Sequence, residues 1–264
     1  MRTPEKEEAE LRLGLVTYNL ARGWDLETLI ANCEQTGFGG VELRTTHAHQ
    51  VESDLSPARR REVRKRFADS QVELVGLGTA FEYDAVDPAE LQRHIEGTKE
   101  YLQLAADLGA SGVKVRPNNL HEDQGVPREK TFEQIGKALR QCAEFAAGLG
   151  VQVRLEVHGR VTCEPAHIRK MLDYADHPSA VACWNSNPQD LSGGSIDANF
   201  ALLAGRICLV HINELWNDYP WQRLFALLRQ SGYAGYCLAE IPESPEPLRL
   251  MRYYRSLWQM QAGA

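Results

Sequence analysis

The chain has 264 residues, of which 43% are hydrophobic and 25% charged, so it can bury a large core. Its 36 acidic and 29 basic residues give a formal net charge of −7, which argues against nucleic acid or an anionic membrane as the main partner. The six cysteines form no Cys-x-x-Cys pair, and no apolar run reaches the roughly 18 residues of a membrane helix. We therefore expect a cytoplasmic protein, and small-molecule ligands remain open.

Strand-like and helical segments alternate along the chain. Each strand-like segment is short and apolar, and a longer segment with helical periodicity follows it. Eight such pairs are expected, with strands beginning near Leu11, Gly40, Val72, Gly112, Val151, Ala180, Ile207 and Tyr236. No linker interrupts the series, so residues 1–264 are expected to form one domain, with the charged residues 1–10 as an N-terminal extension.

Local patterns predict where several helices begin and end. A capping side chain followed by proline is typical of a helix start, and it occurs at Ser56-Pro57, Asp87-Pro88 and Ser244-Pro245. A glycine in the left-handed conformation often ends a helix, and this position is predicted for Gly37, Gly109, Gly150 and Gly235.

Eight strand–helix pairs in a chain of this length favour a closed (β/α)8 TIM barrel over an open, doubly wound sheet. A dinucleotide-binding sheet would usually carry Gly-x-Gly-x-x-Gly after an early strand, and Gly76-Leu77-Gly78 lacks the third glycine. No Walker-type phosphate loop occurs in the sequence either. We therefore expect a single-domain α/β barrel with no nucleotide cofactor.

Side chains that can bind a metal recur every 26 to 29 residues in the second half of the chain, each at or near the end of a predicted strand. They are Glu156, Asn185, His211 and Glu240. In a parallel barrel the strand ends converge on one mouth, where the active sites of such barrels lie. Carboxylates are costly to bury unless they are paired or bind a cation. This donor set would suit Mn²⁺, Mg²⁺ or Co²⁺, with Zn²⁺ as an alternative.

Charged side chains also lie on the predicted fourth strand. Alternation directs Lys114 and Arg116 into the barrel, where they could neutralise glutamates or bind a carboxylate or phosphate of a substrate. A purely structural interpretation is open as well, because Glu156 could be only an ion-pair partner of Arg154 or Lys114.

Four short motifs resemble the xylose isomerase-like TIM barrel superfamily, the group of sugar phosphate isomerases and epimerases of the AP endonuclease 2 type. The motifs are Leu155-Glu156-Val157-His158, Trp184-Asn185-Ser186-Asn187, His211-Ile212-Asn213-Glu214 and Ala239-Glu240-Ile241. The resemblance implies that Glu156, Asn185, His211 and Glu240 bind a divalent metal. It also shows one departure, because Asn185 stands where the family usually has aspartate.

The resemblance implies a metal-dependent isomerase or epimerase of a sugar or polyol, phosphorylated or not. Glu156 and Glu240 would act as catalytic acid and base, moving a proton next to a carbonyl through an enediolate. A homo-oligomer is common among similar barrels. Substrate contacts are expected from Glu42, His47, His49, Lys114, Arg116, His158, Asn187, Asn213 and Glu214.

Two alternatives stay open at this point. A metal hydrolase similar to endonuclease IV would need a larger set of histidines and acids for three zinc ions, together with a basic groove. A barrel that binds a ligand without turnover is favoured by Asn185, which lacks the negative charge of the usual aspartate.

Overall fold

A computed structural model of the chain describes residues 10–263, which form a closed barrel of eight parallel strands with helices between them. Each strand pairs with the next one along the chain, and β1 pairs with β8 to close the sheet. The predicted (β/α)8 barrel is therefore confirmed. The predicted N-terminal extension lies outside the described residues except for Glu10.

All eight strands begin within one residue of the position expected from the sequence. They are β1 (Arg12–Val16), β2 (Gly40–Arg44), β3 (Glu73–Glu82), β4 (Gly112–Arg116), β5 (Gln152–Glu156), β6 (Ala180–Asn185), β7 (Ile207–Ile212) and β8 (Tyr236–Ala239).

A helix follows each strand, and two 3₁₀ turns, Glu122–Gln124 and Pro188–Asp190, lie in the loops. The helices are α1 (Leu26–Thr36), α2 (Pro57–Ala68), α3 (Pro88–Leu108), α4 (Arg128–Leu149), α5 (Pro165–Ala175), α6 (Asp197–Leu203), α7 (Trp221–Gln230) and α8 (Pro247–Ala262). None of the helices in residues 10–263 has the length and hydropathy that a membrane crossing requires.

Most of the predicted helix boundaries are confirmed, and two are wrong. Ser56 and Asp87 cap α2 and α3 with their side chains, and three of the four glycines end helices in the left-handed conformation. Ser244 does not begin α8, because its hydroxyl accepts the amide of Glu246 in a turn before the helix. Gly235 does not end α7 either. It leaves room for the ring of Tyr233, which a Cβ at this position would approach to 2.5 Å.

Apolar side chains on the two faces of the sheet form separate clusters. The larger cluster joins the outward face to the helices. The smaller cluster contains residues that alternate with it along the same strands, so it fills the barrel interior. Its members are Val16, Val75, Cys183, Leu209, Tyr236 and Leu238. Asn185, His211 and Glu240 follow Cys183, Leu209 and Leu238 by two residues each, so they share the inward face nearer the strand ends.

Two glycines on β3 make room inside the barrel for charged side chains. A Cβ at Gly78 would lie 2.6 Å from Glu42 Oε1, and a Cβ at Gly76 would lie 2.9 Å from Arg154 Nη1. The Gly-x-Gly sequence that resembled part of a nucleotide fingerprint therefore serves packing of the barrel interior.

Candidate functional site

A cavity of about 490 Å³ lies at the carboxyl ends of the strands. Side chains from several strands and the loops after them reach it, as the convergence of strand ends in a barrel predicts. Nine of the thirteen predicted site residues line it: Lys114, Arg116, Glu156, His158, Asn185, Asn187, Asn213, Glu214 and Glu240. The remaining four, Glu42, His47, His49 and His211, lie behind the lining or away from it.

Three of the four predicted metal ligands are close enough to bind one ion. Glu156, His211 and Glu240 each offer a ligand atom, and these atoms all lie within 4.8 Å of one another. His211 Nδ1 is 3.4 Å from Glu156 Oε1 and 3.8 Å from Glu240 Oε2. His211 is 1% exposed, and neither ring nitrogen has a hydrogen-bond partner. Because buried polar groups normally have partners, these residues fit a bound cation.

Asn185 lies next to this group but presents the wrong atom to a cation. It pairs with His211 in the register of β6 and β7, and its Nδ2 donates to Glu156 Oε1 at 3.3 Å. The amide would have to turn over to offer its oxygen. It would then add an oxygen ligand without adding negative charge.

Glu156 forms an ion pair with Lys114 deep in the cavity. Lys114 Nζ is 2.8 Å from Glu156 Oε2, and the two side chains are only 5% and 3% exposed. Burial would raise the pKa of Glu156, but the Lys114 ammonium and His211 hold it well below its ordinary value. Arg154, the other partner considered from sequence, turns the opposite way and donates to Ser111 Oγ and to Val75 O.

Glu240 approaches the same group from the end of β8 and is the more exposed of the two glutamates, with 26% of its side chain accessible. Burial raises the pKa of Glu240 above its ordinary value, although the charge of His211 acts against this effect. The environment therefore shifts the pKa values of Glu156 and Glu240 in opposite directions. Such a divergence is common where two carboxyl groups share acid and base work.

Glu42 lies beneath His211 and does not reach the cavity. It is fully buried, its Oε1 is 3.4 Å from His211 Nε2, and neither oxygen accepts a hydrogen bond. A carboxylate on the far nitrogen of a ligand histidine fixes the orientation and tautomer of the ring. The structure therefore places Glu42 where it can orient His211 rather than where it can touch a substrate.

The two histidines after β2 also lie away from the cavity. Left-handed residues at Thr46 and Gln50 reverse the chain in this loop. His47 Nδ1 is 3.0 Å from Thr17 Oγ1. His49 Nε2 is 2.9 Å from Arg44 O, and its Nδ1 accepts the amide of Val51 at 3.0 Å. Both ring nitrogens of His49 are thus used to hold the loop, and burial lowers its pKa, which keeps the ring neutral.

Amide side chains and His158 form a polar wall of the cavity. His158 Nδ1 is 3.1 Å from Asn118 Oδ1, and burial lowers the pKa of His158. Asn187 Nδ2 donates to Val157 O at 2.6 Å, and Asn213 Nδ2 donates to Ser186 O at 2.9 Å. Because the contacts of Asn187 and Asn213 go to the main chain just after strands, the barrel itself holds these two side chains in place.

A buried carboxyl group supports this wall from behind. Asp190 Oδ2 accepts the hydroxyl of Tyr219 at 2.7 Å and the main-chain amide of Asn187 at 2.9 Å. Burial raises the pKa of Asp190 to about 7, although both hydrogen bonds act in the opposite direction. The position of Asn187 therefore depends on a group that titrates near neutral pH.

Sequence reasoning missed five residues that line the cavity: Tyr18, Asn19, Arg44, Ile241 and Pro242. Arg44 could have been found, because it follows Glu42 by two residues and so shares the inward face of β2. The other four lie in loops just after β1 and β8, where alternation no longer applies.

Comparison with known proteins identifies the family of this barrel. A family model described as the xylose isomerase-like TIM barrel matches residues 30–257. No curated protein sequence gives a match to the chain.

Several solved structures are similar to the described fold. D-psicose 3-epimerase in the presence of D-fructose has a TM-score of 0.81 at 15% identity, covering 96% of this chain and 100% of that chain. The apo form of the 3-keto-D-glucoside 4-epimerase YcjR from E. coli has a TM-score of 0.78 at 15% identity, covering 95% of this chain and 100% of that chain. IOLI protein with a binding zinc atom has a TM-score of 0.79 at 15% identity, covering 96% of this chain and 98% of that chain. At these identities the likeness establishes a shared fold. Since the family model extends from α1 to α8, the chain belongs to the xylose isomerase-like TIM barrel family.

Proposed function

We propose that the protein is a metal-dependent isomerase or epimerase that moves a proton next to the carbonyl group of a sugar or polyol. The observation that carries the proposal is the grouping of Glu156, His211 and Glu240, whose ligand atoms lie within 4.8 Å of one another. Glu156 and Glu240 line the cavity, and His211 is buried behind them. Two structurally similar proteins are named as sugar epimerases and a third contains zinc, which supports the same function.

Glu156, His211 and Glu240 would hold the metal, with Asn185 as a fourth ligand if its amide turns over. Carboxylate, amide and imidazole donors suit Mn²⁺, Mg²⁺ or Co²⁺, with Zn²⁺ as the alternative. When bound, such an ion polarises a carbonyl oxygen and so makes the neighbouring C–H more acidic.

The two glutamates provide the proton transfer. Glu156 ends β5 and Glu240 follows β8, so they reach the cavity from different parts of the barrel. One carboxylate removes the proton next to the carbonyl, and the other returns a proton to the opposite face, which inverts that carbon. If the proton instead returns to the adjacent carbon, the product is an isomer. Lys114 lies close enough to Glu156 to stabilise the negative charge of an enediolate formed there.

Exchange of substrate protons with solvent tests this proposal, because exchange reports proton removal whatever the product. Ketoses and inosose-like compounds would be incubated in D₂O and followed by NMR. We expect exchange with the wild-type protein and a loss of about 100-fold or more in Glu156→Gln and in Glu240→Gln, the usual contribution of an acid or base.

A matched control is Glu144→Gln, which removes an exposed glutamate paired only with Arg140 on the surface of α4. This variant should exchange protons at the wild-type rate. If both active-site variants keep the wild-type rate on a substrate that exchanges, the two glutamates do not move the proton and the proposal is wrong.

A non-catalytic, ligand-binding barrel is the second candidate. It is favoured by Asn185, which brings no charge, and by Lys114, whose ammonium already neutralises Glu156. This candidate predicts saturable binding of a sugar with no proton exchange and no metal. An endonuclease IV-like hydrolase is not proposed, because within residues 10–263 one group of three candidate ligands is found and not a set for three ions.

A further inference from the structure

Arg44 places a charged guanidinium on the cavity without a carboxylate partner. It ends β2, is half-buried, and lines the cavity. Its Nη1 donates to Thr45 Oγ1 at 2.9 Å and to Gly78 O at 3.3 Å, both uncharged oxygens. A guanidinium keeps its charge at any pH at which proteins fold. Half-buried and paired only with neutral groups, this charge lacks the acceptor that would balance it.

The other two cations of the lining are already paired with carboxylates. Lys114 is bound to Glu156, and Arg116 Nη2 is 2.6 Å from Glu82 Oε1. Among residues 10–263, Arg44 is therefore the one lysine or arginine of the cavity lining with no carboxylate within ion-pair distance.

Arg44 does not pair with the buried carboxylate of Glu42 either. Glu42 lies two residues earlier on the same face of β2, and both of its oxygens lack hydrogen-bond partners. The stem of Arg44 passes Gly78, where a Cβ would meet Glu42 Oε1 at 2.6 Å and Arg44 Cδ at 3.3 Å. The two side chains thus share the space beside Gly78, yet they form no ion pair. The charge of Arg44 instead acts on His158, which lines the same cavity.

Accepting the function proposed above, we infer that the substrate is a sugar or polyol that carries an anionic group, a carboxylate or a phosphate, and that Arg44 binds this group. A guanidinium offers parallel N–H donors that match the paired oxygens of both anions. A cavity of about 490 Å³ is within the range that accommodates a small ligand of this kind.

Three ketoses that differ only at carbon 6 test the inference: D-fructose, D-fructuronate and D-fructose 6-phosphate. Their affinities would be measured by calorimetry for wild type, Arg44→Gln and Arg140→Gln, the last removing an exposed arginine of α4 outside the cavity. We expect wild type and Arg140→Gln to bind one anionic compound about tenfold or more tightly than fructose. Arg44→Gln should bring that compound down to the affinity of fructose. The preferred compound identifies the anion as a carboxylate or a phosphate.

Inorganic phosphate provides a second measurement on the wild type, in case Arg44→Gln does not fold. It should weaken binding of the preferred anionic ketose more than binding of fructose. The inference is overturned if all three ketoses bind equally, if neither anionic ketose binds at millimolar concentration, or if the preference persists in a folded Arg44→Gln protein.

Proton exchange in the same samples separates this inference from the proposed function. If fructose exchanges protons and neither anionic ketose binds more tightly than fructose, the proposed isomerase or epimerase is supported and the inference about Arg44 is wrong. If an anionic ketose binds more tightly because of Arg44 but no compound exchanges protons, anion binding by Arg44 is supported and the proposed reaction is wrong.

Discussion

His211, like Glu42, is a buried side chain of the site whose polar atoms have no hydrogen-bond partner. It is 1% exposed, and neither ring nitrogen has a hydrogen-bond partner. A buried polar group without a partner costs about 1–3 kcal/mol. A cation at Nδ1 would remove part of this cost, while Glu42 stands 3.4 Å from Nε2. The folded protein should therefore become more stable when an ion binds.

The residue at position 185 affects the charge of the candidate metal site, and the amide of Asn185 contributes none. Asn185→Asp would add a carboxylate beside Glu156 and His211, so we expect the affinity for Mn²⁺ to rise about tenfold or more, since an added charge contact is worth at least about 1.4 kcal/mol. Equilibrium dialysis measures this change.

Asn32→Asp on α1 is the control for a simple change in net charge, and it should leave the Mn²⁺ affinity unchanged. Equal or weaker Mn²⁺ binding by Asn185→Asp would show that residue 185 does not face the ion.

Gly78 is required by the carboxylate of Glu42. A Cβ at this position would lie 2.6 Å from Glu42 Oε1 and 3.3 Å from Arg44 Cδ, and the Glu42 side chain is fully buried. We expect Gly78→Ala to lower the free energy of unfolding by about 1–3 kcal/mol, the usual cost of overpacking, as measured by urea denaturation.

Gly148→Ala provides the comparison, because a Cβ there would meet nothing within 4 Å and the residue lies in α4. Alanine favours a helix more than glycine, so this change should be neutral or stabilising. A Gly78→Ala protein as stable as Gly148→Ala would mean that Glu42 can move aside at no cost.

At the scale of residues, the sequence predicted many of the side chains that line the cavity and fewer details of those buried behind the lining. Alternation along a strand correctly placed Lys114 and Arg116 on the inward face. It could not show how deep each side chain lies. Glu42, which was expected to contact a substrate, is fully buried and does not line the cavity. The roles of these residues stay predictions.

At the scale of elements, strands were easier to locate than loops. A buried parallel strand is a short apolar run that ends at turn residues, and this pattern depends only on neighbours in sequence. The loop after β2 was different. Thr46 and Gln50 adopt left-handed backbone angles that residues other than glycine rarely adopt. The sequence did not indicate these conformations. The resulting turn carries His47 and His49 away from the cavity.

The connection from β6 to α6 should respond to pH through Asp190. Burial raises the pKa of this carboxyl from 3.8 to about 7 in the folded protein. The unfolded chain ionises near 3.8, while the folded protein keeps its proton up to about 7. The contribution of Asp190 to stability is therefore complete at low pH and is lost as the pH rises to about 7, at about 1.4 kcal/mol per pH unit.

Asp190→Asn removes this titration and keeps an oxygen for Tyr219 and Asn187. Urea denaturation of both proteins between about pH 5 and 8 should show the stability of wild type falling relative to the variant up to about pH 7 and then levelling off. Parallel pH profiles would show that Asp190 is already ionised in the folded protein.

At the scale of the whole molecule, closure of the barrel brings together candidate metal ligands that are widely separated in sequence. Glu156, His211 and Glu240 belong to β5, β7 and the end of β8, and no local segment contains more than one of them. In the closed sheet, with its strands in chain order, all three lie next to one another at the carboxyl ends of the strands. The fold could be predicted for the same reason that the site could, because both depend on one repeated strand–helix unit.

The stoichiometry of bound metal tests the central claim most directly. Wild-type protein dialysed against Mn²⁺, Co²⁺ or Zn²⁺ and then analysed for metal should hold one ion per chain, with a higher Tm than the metal-free protein. The double variant Glu156→Gln, Glu240→Gln should hold none, while Glu144→Gln should match wild type. A wild-type protein that binds no ion, or a double variant that binds as much as wild type, would contradict the claim that these residues form a metal site.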